Sequence, residues 1–329
     1  MPLIIADTLS EKGHYKFNNE ILNWMCKEDI DFISFFSSDF FDNKSENENN
    51  LSFSSFFLYK KNMIVYVSFQ FLLHLRLLLL SHKNDKKVIL LSYEIYSFSI
   101  ISYLYRLMGV KVLVVEHNTV PNSSSKIKSV FYSLISSHVK HLCLESYISN
   151  YVSNEFGKKS AFFQHPILIE NEINYTKSKF NNQSYFFMPS STVEASVADS
   201  IIKLFALNPS EHLLMKDIGC IRSKNVEKQK FFEDYYNLLM KADGVILPQD
   251  FSYRVSGVFY ESLAYVNKVY MTPCIMSVEM KKLYPERVVI IDELSSIFSD
   301  KRSEPNKIDI EAYNDYSKSC FIGAINEYF

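Results

Sequence analysis

Short apolar runs rich in β-branched residues alternate with longer segments of helical spacing along most of this chain. In the first half, the predicted strands are residues 3–6, 88–92, 110–116, 142–144 and 161–164. The predicted helices are residues 18–26, 69–81, 96–107, 127–137 and 146–156. A strand that leads into a helix and then into another strand favours a parallel sheet with crossover helices. The sequence therefore predicts an α/β fold.

The same alternation resumes after a polar join at residues 170–182, where Lys, Asn and Glu interrupt the apolar pattern. The predicted strands of the second half are residues 185–188, 212–215, 244–247, 268–272 and 288–291. The predicted helices are residues 193–205, 226–241, 258–265 and 309–328. We therefore expect a first domain at residues 1–169, a linker at 170–182, a second domain at 183–308 and a C-terminal helix at 309–329.

The composition excludes several classes of protein. A chain of 329 residues with 47% hydrophobic residues can bury the cores of two domains. The net charge of −2 gives no reason to expect nucleic acid as a partner, because nucleic-acid binders usually carry a basic face. The five cysteines show no CxxC or Cys/His spacing, which is typical of reduced thiols in a cytoplasm and predicts neither a disulfide framework nor a zinc site.

One stretch, MIVYVSFQFLLHLRLLLL at residues 63–80, approaches the composition of a membrane span. Gln70, His74 and Arg76 interrupt it, and charged groups at a bilayer centre are costly, so we expect a core strand or turn followed by a buried helix. Basic residues surround this stretch: Lys60, Lys61, Arg76, Lys83, Lys86 and Lys87. They leave two alternatives open, an ordinary solvated face and peripheral contact with anionic lipid.

Polar residues directly after predicted strands are the first candidates for a site, because open α/β sheets bind ligands at the carboxyl ends of their strands. In the first half these residues are Gly13, His14, Glu94 and His117. Gly13 permits a close approach of backbone to a ligand. Glu94 and the two imidazoles could act as general bases or bind sugar hydroxyls. The alternatives are a simple strand-to-helix connection for Gly13 and a hydrogen-bonded structural histidine for His117.

In the second half the candidates gather around one helix start. Ser256 and Gly257 open a predicted helix whose free N–H groups can hold a phosphate. Glu261 lies one turn inside it, which suits a carboxylate that accepts hydrogen bonds from a ribose diol. Arg254 and Lys216 could neutralise a diphosphate leaving group. The alternative for Glu261 is an ordinary helical glutamate.

Two segments carry a resemblance to a known family. YRVSGVFYESLAYVNKVYMTP, residues 253–273, resembles the nucleotide-binding motif of GT-B glycosyltransferases similar to glycosyltransferase family 4. LCLESYISNYVSNEFGKKSAFFQHPI, residues 142–167, resembles the segment that ends the N-terminal domain of these enzymes. This resemblance implies two Rossmann-like domains that face each other across a cleft. A C-terminal helix that crosses back to the first domain belongs to the same expectation.

The resemblance also implies roles for individual residues. Glu261 would bind the ribose of a nucleotide diphosphate sugar, Arg254 and Lys216 its diphosphate, Gly13 would lie in the phosphate-facing loop, and His117 would contact the donor sugar or the reaction centre. Many relatives carry glycines where this chain has Pro-Ser-Ser-Thr at residues 189–192, and the hydroxyl of Ser190 could contact a phosphate instead.

The stereochemical course stays open. Retaining members of the family commonly carry a second glutamate eight residues before the ribose-binding one, and this chain has Tyr253 there. An inverting mechanism with His14, Glu94 or His117 as the base is the alternative. His165 precedes Pro166, which holds its neighbour in an extended conformation, so we predict only a structural turn there.

These observations predict a cytoplasmic, hexosyltransferase-type enzyme. We expect it to move a sugar to a glycan or lipid-linked acceptor during the synthesis of bacterial O-antigen, lipopolysaccharide or capsule. No acidic DxD pair follows a predicted strand in a suitable place, so neither a metal nor another cofactor is expected. Two alternatives remain. One is a GT-B sugar-nucleotide epimerase, and the other is a catalytically silent binding partner in a polysaccharide assembly complex.

Overall fold

The computed structural model describes residues 2–9, 14–41, 50–58, 62–84, 86–122, 125–169, 184–298 and 307–329. Contacts between Cα atoms divide the chain into two compact units. The first unit contains Met1–Pro166 together with Asn314–Phe329, and the second contains Ile167–Tyr313. Gly13 and the predicted linker at residues 170–182 lie outside the described residues.

The first unit contains a parallel sheet of seven strands. The strands are β1 Leu3–Asp7, β2 Phe32–Ser37, β3 Asn50–Phe53, β4 Lys87–Ser92, β5 Lys111–Glu116, β6 Lys140–Cys143 and β7 Ser160–Phe162. Their order in the sheet is β3-β2-β1-β4-β5-β6-β7. The helices are α1 Tyr15–Lys27, α2 Ser38–Phe41, α3 Met63–Lys83, α4 Ile95–Leu107, α5 Lys126–Leu134 and α6 Ser146–Phe156. A short 3₁₀ helix spans Ser55–Phe57.

The second unit contains a parallel sheet of six strands. The strands are β8 Phe186–Met188, β9 Leu213–Lys216, β10 Val226–Gln229, β11 Gly244–Leu247, β12 Val269–Met271 and β13 Val288–Ile290. Their order is β10-β9-β8-β11-β12-β13. The helices are α7 Ala195–Ala206, α8 Tyr235–Lys241, α9 Gly257–Tyr265 and α10 Ile275–Leu283, and a 3₁₀ helix spans Leu294–Phe298.

The central strands of both sheets form where the apolar runs are nearly continuous. Val88, Ile89, Leu90 and Leu91 of β4 are completely buried, as expected for a parallel strand that is covered on both faces. In the second unit, helix α7 packs on the sheet through Ala198, Ile201, Ile202 and Phe205, at the spacing of one helical face. The α/β fold and its parallel sheets are therefore confirmed.

The C-terminal helix α11, Ile310–Tyr328, packs against the first unit. Phe321 is completely buried and contacts the rings of Trp24 and Phe163, at centroid distances of 5.9 and 5.2 Å. The Nζ atom of Lys140 lies 3.0 Å from Oε1 of Glu327. The prediction that the C-terminal helix crosses back to the first domain is confirmed.

Three sequence predictions were wrong. Residues 226–241 are not one helix, because Val226–Gln229 forms the edge strand β10 and the helix begins only at Tyr235. Residues 63–68 are helical, because Oδ1 of Asn62 accepts the backbone N–H groups of Ile64 and Val65 and so caps α3 at Met63. Helix α3 is also not a buried helix, since one of its sides is exposed.

Candidate functional site

Each sheet has one position where the strand order reverses. In the first sheet the chain leaves β1 for β2 and β3 on one side and returns to β4 on the other; in the second sheet the reversal lies between β8 and β11. Ligands of open α/β sheets bind outside the carboxyl ends of the strands at such points. Most predicted site residues follow the strands at these two reversals, whereas His117 follows β5 and Lys216 ends β9, each one strand away.

The reversal in the second sheet is bridged by a buried glutamine that the sequence analysis missed. Nε2 of Gln249, just after β11, donates to Oγ1 of Thr192, after β8, at 3.4 Å. Oε1 of Gln249 is buried and has no hydrogen-bond partner in the described part of the chain. Ser190 lies two residues before Thr192, and its Oγ is 3.2 Å from Oγ1 of Thr192. The edge between β8 and β11 therefore presents an unpaired acceptor together with two hydroxyls.

The structure confirms that a helix begins at Ser256 and Gly257, as predicted. Gly257 is the first residue of α9, and the buried Ser256 is its N-cap, with Oγ accepting the N–H of Phe259 at 3.3 Å. A helix N-terminus carries a partial positive charge and unsatisfied N–H groups. This end of α9 can therefore receive an anionic group, and the assignment of a phosphate to it stays a prediction.

Glu261 is held by two tyrosines. The hydroxyl of Tyr235 donates to Oε2 at 2.8 Å, and the hydroxyl of Tyr236 donates to Oε1 at 2.9 Å. Burial, and then the charge of Glu261, raise the pKa of Tyr235 well above its usual value, so the phenol keeps its proton. Each carboxylate oxygen of Glu261 thus accepts a hydrogen bond from a different tyrosine. The carboxylate is fixed in one orientation, as recognition of a diol requires.

The two predicted cations follow different strands. Lys216 ends β9, where its Nζ donates to the carbonyl oxygen of Lys230 at 2.8 Å and lies 4.6 Å from the ring centroid of Phe232. Arg254 lies in the loop between β11 and α9, with Cζ 5.3 Å from the ring centroid of Phe251. Both side chains are half-buried and positioned by aromatic rings. Their role at a diphosphate stays a prediction.

The first sheet collects three histidines at its carboxyl edge. His14 precedes α1, His117 directly follows β5, and His165 follows β7. The rings of His14 and His117 are stacked at 4.8 Å with an interplanar angle of 19°, and His165 lies 6.4 Å from His117. Phe17 packs edge-on against His117 at 4.1 Å. His165 was predicted to be only part of a turn, whereas its ring belongs to this cluster.

Two ring nitrogens in the cluster are available to a ligand. Nδ1 of His14 and Nε2 of His117 are buried, and neither has a hydrogen-bond partner among the described residues. Burial, followed by the charges of His14 and His165, holds the pKa of His117 well below its usual 6.5. Nδ1 of His165 lies 2.8 Å from the carbonyl oxygen of Pro166, and burial lowers the pKa of His165 to about 4. His117 is therefore neutral at neutral pH and can accept a proton.

Glu94 occupies a different kind of position. It is the N-cap of α4, and its Oε1 and Oε2 accept the N–H groups of Tyr96 and Ser97 at 2.8 and 2.7 Å. Both carboxylate oxygens of Glu94 are thus engaged by the N-terminus of α4. Its role as a base stays a prediction, but the structure favours the imidazoles over it.

Neighbouring carboxylates belong to the interior of the first unit. Asp7, at the end of β1, accepts a hydrogen bond from the hydroxyl of Ser92 and another from Nδ2 of Asn18 at 2.6 Å. Glu116, the last residue of β5, accepts through Oε1 from Tyr93 and Tyr132. Both carboxylates are completely buried, so they hold the strand ends together. In the part of the chain that the structure describes, no group of three or more His, Cys, Asp or Glu side chains is arranged to hold a metal ion.

The buried histidines make the first unit sensitive to acid. Burial lowers the pKa values of His74, His117 and His165, to about 3 for His74. As the pH falls below 6.5 the unfolded chain binds protons that the folded chain refuses, so stability is full above about pH 7 and is lost on acidification. When the pH is lowered from 7.5 to 5, we expect each of these histidines to reduce the free energy of unfolding by about 2 kcal/mol. Urea unfolding, followed by the fluorescence of Trp24, measures this loss.

His74 supplies the control, because neither of its ring nitrogens has a partner among the described residues. His74→Leu should remove about a third of the pH dependence and should raise the stability at pH 5. Equal urea midpoints for the wild-type protein at pH 7.5 and 5 would contradict the buried neutral state of these histidines.

Comparison with known proteins establishes the fold. No model of a protein family and no curated protein sequence matches the chain. Among solved structures, it is similar to the E. coli structure described as trehalose-6-phosphate bound with UDP-2-fluoro glucose (TM-score 0.66, 10% identity, 100% of both chains covered). A glycosyltransferase from Rickettsia africae ESF-5 gives a TM-score of 0.61 at 14% identity, over 99% of this chain and 98% of that one.

A UDP-N-acetylglucosamine 2-epimerase is similar to the same degree, with a TM-score of 0.62 at 10% identity, over 100% of this chain and 96% of that one. Identities this low establish shared architecture and no more. The chain has the fold of the GT-B glycosyltransferases, with two Rossmann-like domains, as the sequence predicted.

Proposed function

We propose that this protein is a glycosyltransferase that uses a nucleotide diphosphate sugar, and that it is related to glycosyltransferase family 4. The observation that carries the proposal is the fixed carboxylate of Glu261, one turn inside a helix that begins beside a strand-order reversal. A half-buried carboxylate whose two oxygens are oriented by tyrosine hydroxyls is chemically suited to accept hydrogen bonds from the paired hydroxyls of a ribose. Hydrogen bonds to a charged acceptor are among the stronger ones in proteins.

The rest of the donor fits the second unit. The N-terminus of α9 would receive a phosphate, and Lys216 and Arg254 would neutralise the charge that develops on the diphosphate. The hydroxyl of Ser190 would contribute to the same group. The unpaired Oε1 of Gln249 would accept a hydrogen bond from the base or the sugar, because a buried acceptor without a partner is costly when no ligand is bound.

The acceptor would bind at the carboxyl edge of the first sheet, where His117 is the base we favour. In an inverting reaction the acceptor oxygen attacks the anomeric carbon, and the bond from that carbon to the diphosphate breaks. The electron pair leaves with the diphosphate, and the acceptor proton passes to Nε2 of His117. His14, stacked on His117, is the alternative base, since its Nδ1 also has no hydrogen-bond partner within the described part of the chain.

An epimerase is the second candidate, because a UDP-N-acetylglucosamine 2-epimerase shares this fold over the whole chain. It would bind the same donor and change its sugar without an acceptor. Incubation of the protein with donor alone separates the two. A transferase leaves most of the sugar unchanged, whereas an epimerase yields a second nucleotide sugar.

Several finer points belong to the same proposal. The sugar is a hexose, the acceptor is a glycan or a lipid-linked glycan, and the product belongs to O-antigen, lipopolysaccharide or capsule of a bacterium. The enzyme works in the cytoplasm, in peripheral contact with the inner membrane, and does not use nucleic acid. Its reaction needs no metal ion, because Lys216 and Arg254 take the place of one at the diphosphate.

Binding of a nucleotide is the first measurement. A ligand that binds only the folded state at about 100 times its Kd adds roughly 2.7 kcal/mol, which corresponds to a rise of about 5 °C in Tm. We expect such a shift with one of UDP, GDP, CMP, dTDP or their sugars, and the same shift in EDTA. A shift abolished by EDTA would contradict metal independence. No shift with any nucleotide would leave the catalytically silent binding partner as the better description.

A further inference from the structure

Helices α3, α4 and α5 form one layer of the first unit. Helix α3 packs against α4, and α4 packs against α5. The hydroxyl of Tyr105 on α4 donates to the carbonyl oxygen of His74 on α3 at 3.2 Å. The rings of Tyr96 on α4 and Phe131 on α5 meet edge-on at 4.8 Å. The outer sides of the three helices therefore form one continuous surface, which we call the three-helix face.

The three-helix face is apolar. Nine large apolar residues on it expose at least half of their surface: Met63, Ile64, Leu72, Leu79, Ile100, Leu107, Ile127, Val130 and Leu134. In the remainder of the described chain, only Phe56, Leu207, Phe231, Leu283 and Tyr316 are as exposed. Single exposed apolar residues are ordinary on a soluble protein, but their concentration on adjoining helices marks an interaction surface.

The charge on the three-helix face has one sign. The three helices contain no Asp or Glu, and their exposed charged residues are Arg76, Lys83, Arg106, Lys126 and Lys128. The whole chain has 37 acidic and 35 basic residues, so this distribution departs from the rest of the molecule. An apolar face with only basic charges is complementary to a layer of anionic headgroups over hydrocarbon.

The inner side of α3 is incompatible with a transmembrane position. Among the described residues, α3 is the one helix that is long and apolar enough to cross a membrane. However, Gln70 on its inner side donates to the carbonyl oxygen of Thr8 at 2.9 Å, and Gln70 and His74 are completely buried. If α3 were inserted across a membrane, Gln70 and His74 would lose these contacts with the rest of the first unit. The exposed side can instead lie in the interface, where apolar faces are buried by about 5–10 Å.

We propose that the three-helix face docks on the surface of an anionic lipid bilayer. A second copy of the chain is a poorer occupant, because a symmetric dimer would bring Arg106 and the other cations of one face against those of its partner. This assignment deepens the peripheral membrane contact of the proposed function, because it names the surface of α3, α4 and α5 that would make that contact. It stands independently of the donor site, since none of its residues lies in the second unit.

The test is co-sedimentation of the full chain with vesicles. One set contains phosphatidylcholine alone, and the other contains phosphatidylcholine with about one third phosphatidylglycerol. We expect binding to the anionic vesicles that weakens as salt is raised. One variant replaces an apolar residue on each helix, Leu72→Ser, Ile100→Ser and Ile127→Ser. Its matched control replaces exposed apolar residues of the second unit, Leu207→Ser, Val278→Ser and Leu283→Ser.

A charge variant completes the design. Lys83→Gln, Arg106→Gln and Lys128→Gln together should weaken binding to anionic vesicles by roughly 100-fold, since each basic residue near such a surface contributes about fivefold. The exposed lysines of the second unit provide its control, Lys203→Gln, Lys224→Gln and Lys241→Gln, which should bind as the wild-type protein does. All of these positions are exposed, and unchanged Tm values verify that the variants are folded.

Each result decides the proposal. Anionic-lipid binding lost in both face variants and kept in both controls supports it. Absence of binding to either kind of vesicle overturns it, as does binding that the face variants do not weaken. A wild-type dimer that becomes a monomer in the apolar variant would assign the face to a second copy. Nucleotide-induced thermal shifts should be the same in all variants, so failure of the lipid proposal and failure of the donor proposal are distinguishable.

Discussion

His117→Gln is expected to lower the turnover of sugar transfer by about 10²- to 10⁴-fold while the affinity for the donor changes little. Glutamine keeps the size and polarity of the side chain but cannot accept the proton of an attacking hydroxyl. His117 is suited to this role because its Nε2 is buried, with no hydrogen-bond partner among the residues that the structure describes, and because burial keeps the ring neutral. The measurement is release of nucleoside diphosphate from the donor that the thermal-shift screen selects.

The neighbouring histidines refine this result. Because the pKa of His117 lies well below 6.5, turnover should be nearly constant from pH 6.5 to 8. His82→Gln, an exposed histidine on α3, serves as the control and should retain full activity. If His117→Gln stays within tenfold of the wild-type rate and His14→Gln is inactive, the base is His14. If both retain activity, the base lies outside this cluster.

The strands that the sequence predicts correctly include the central ones, which are buried on both faces, and the edge strands β7 and β13. Every predicted strand is present, with ends shifted by at most two residues. Three strands were missed: β3 and β10, which lie at the edges of their sheets, and β2, which pairs with both β1 and β3. Residues 226–229 are Val-Glu-Lys-Gln, and three of these four residue types favour helices. Backbone pairing with β9 overrides that preference, and a neighbour distant in sequence is invisible to local patterns.

The candidate site was predictable as a set of positions but not as a set of contacts. Polar residues after strands were found because a parallel sheet brings the carboxyl ends of its strands to one edge. The stacking of His14 on His117 joins residues far apart in the sequence, so no spacing rule reveals it. Gln249 also follows a strand, and that position alone was a usable signal. Neither tyrosine that orients Glu261 carried any signal, since both lie about 25 residues away on α8.

The donor site is most sharply tested at Glu261. Glu261→Ala is expected to weaken binding of the selected nucleotide sugar by roughly 100-fold, because two hydrogen bonds from ribose hydroxyls to a charged acceptor are lost. Isothermal titration calorimetry of donor and of nucleoside diphosphate measures the change. Both ligands should lose the same factor, since both contain the ribose.

The structure supplies controls that separate binding from folding. Glu261→Ala also leaves the hydroxyls of Tyr235 and Tyr236 without their acceptor, so Tm should fall as well. Tyr236→Phe loses one of these bonds but keeps the carboxylate, so it should lower donor affinity by no more than about tenfold. Glu279→Ala removes a carboxylate from α10 and should leave affinity unchanged. If Glu261→Ala remains folded and binds nucleotide as the wild-type protein does, the ribose lies elsewhere, and the fixed carboxylate serves only to join α8 to α9.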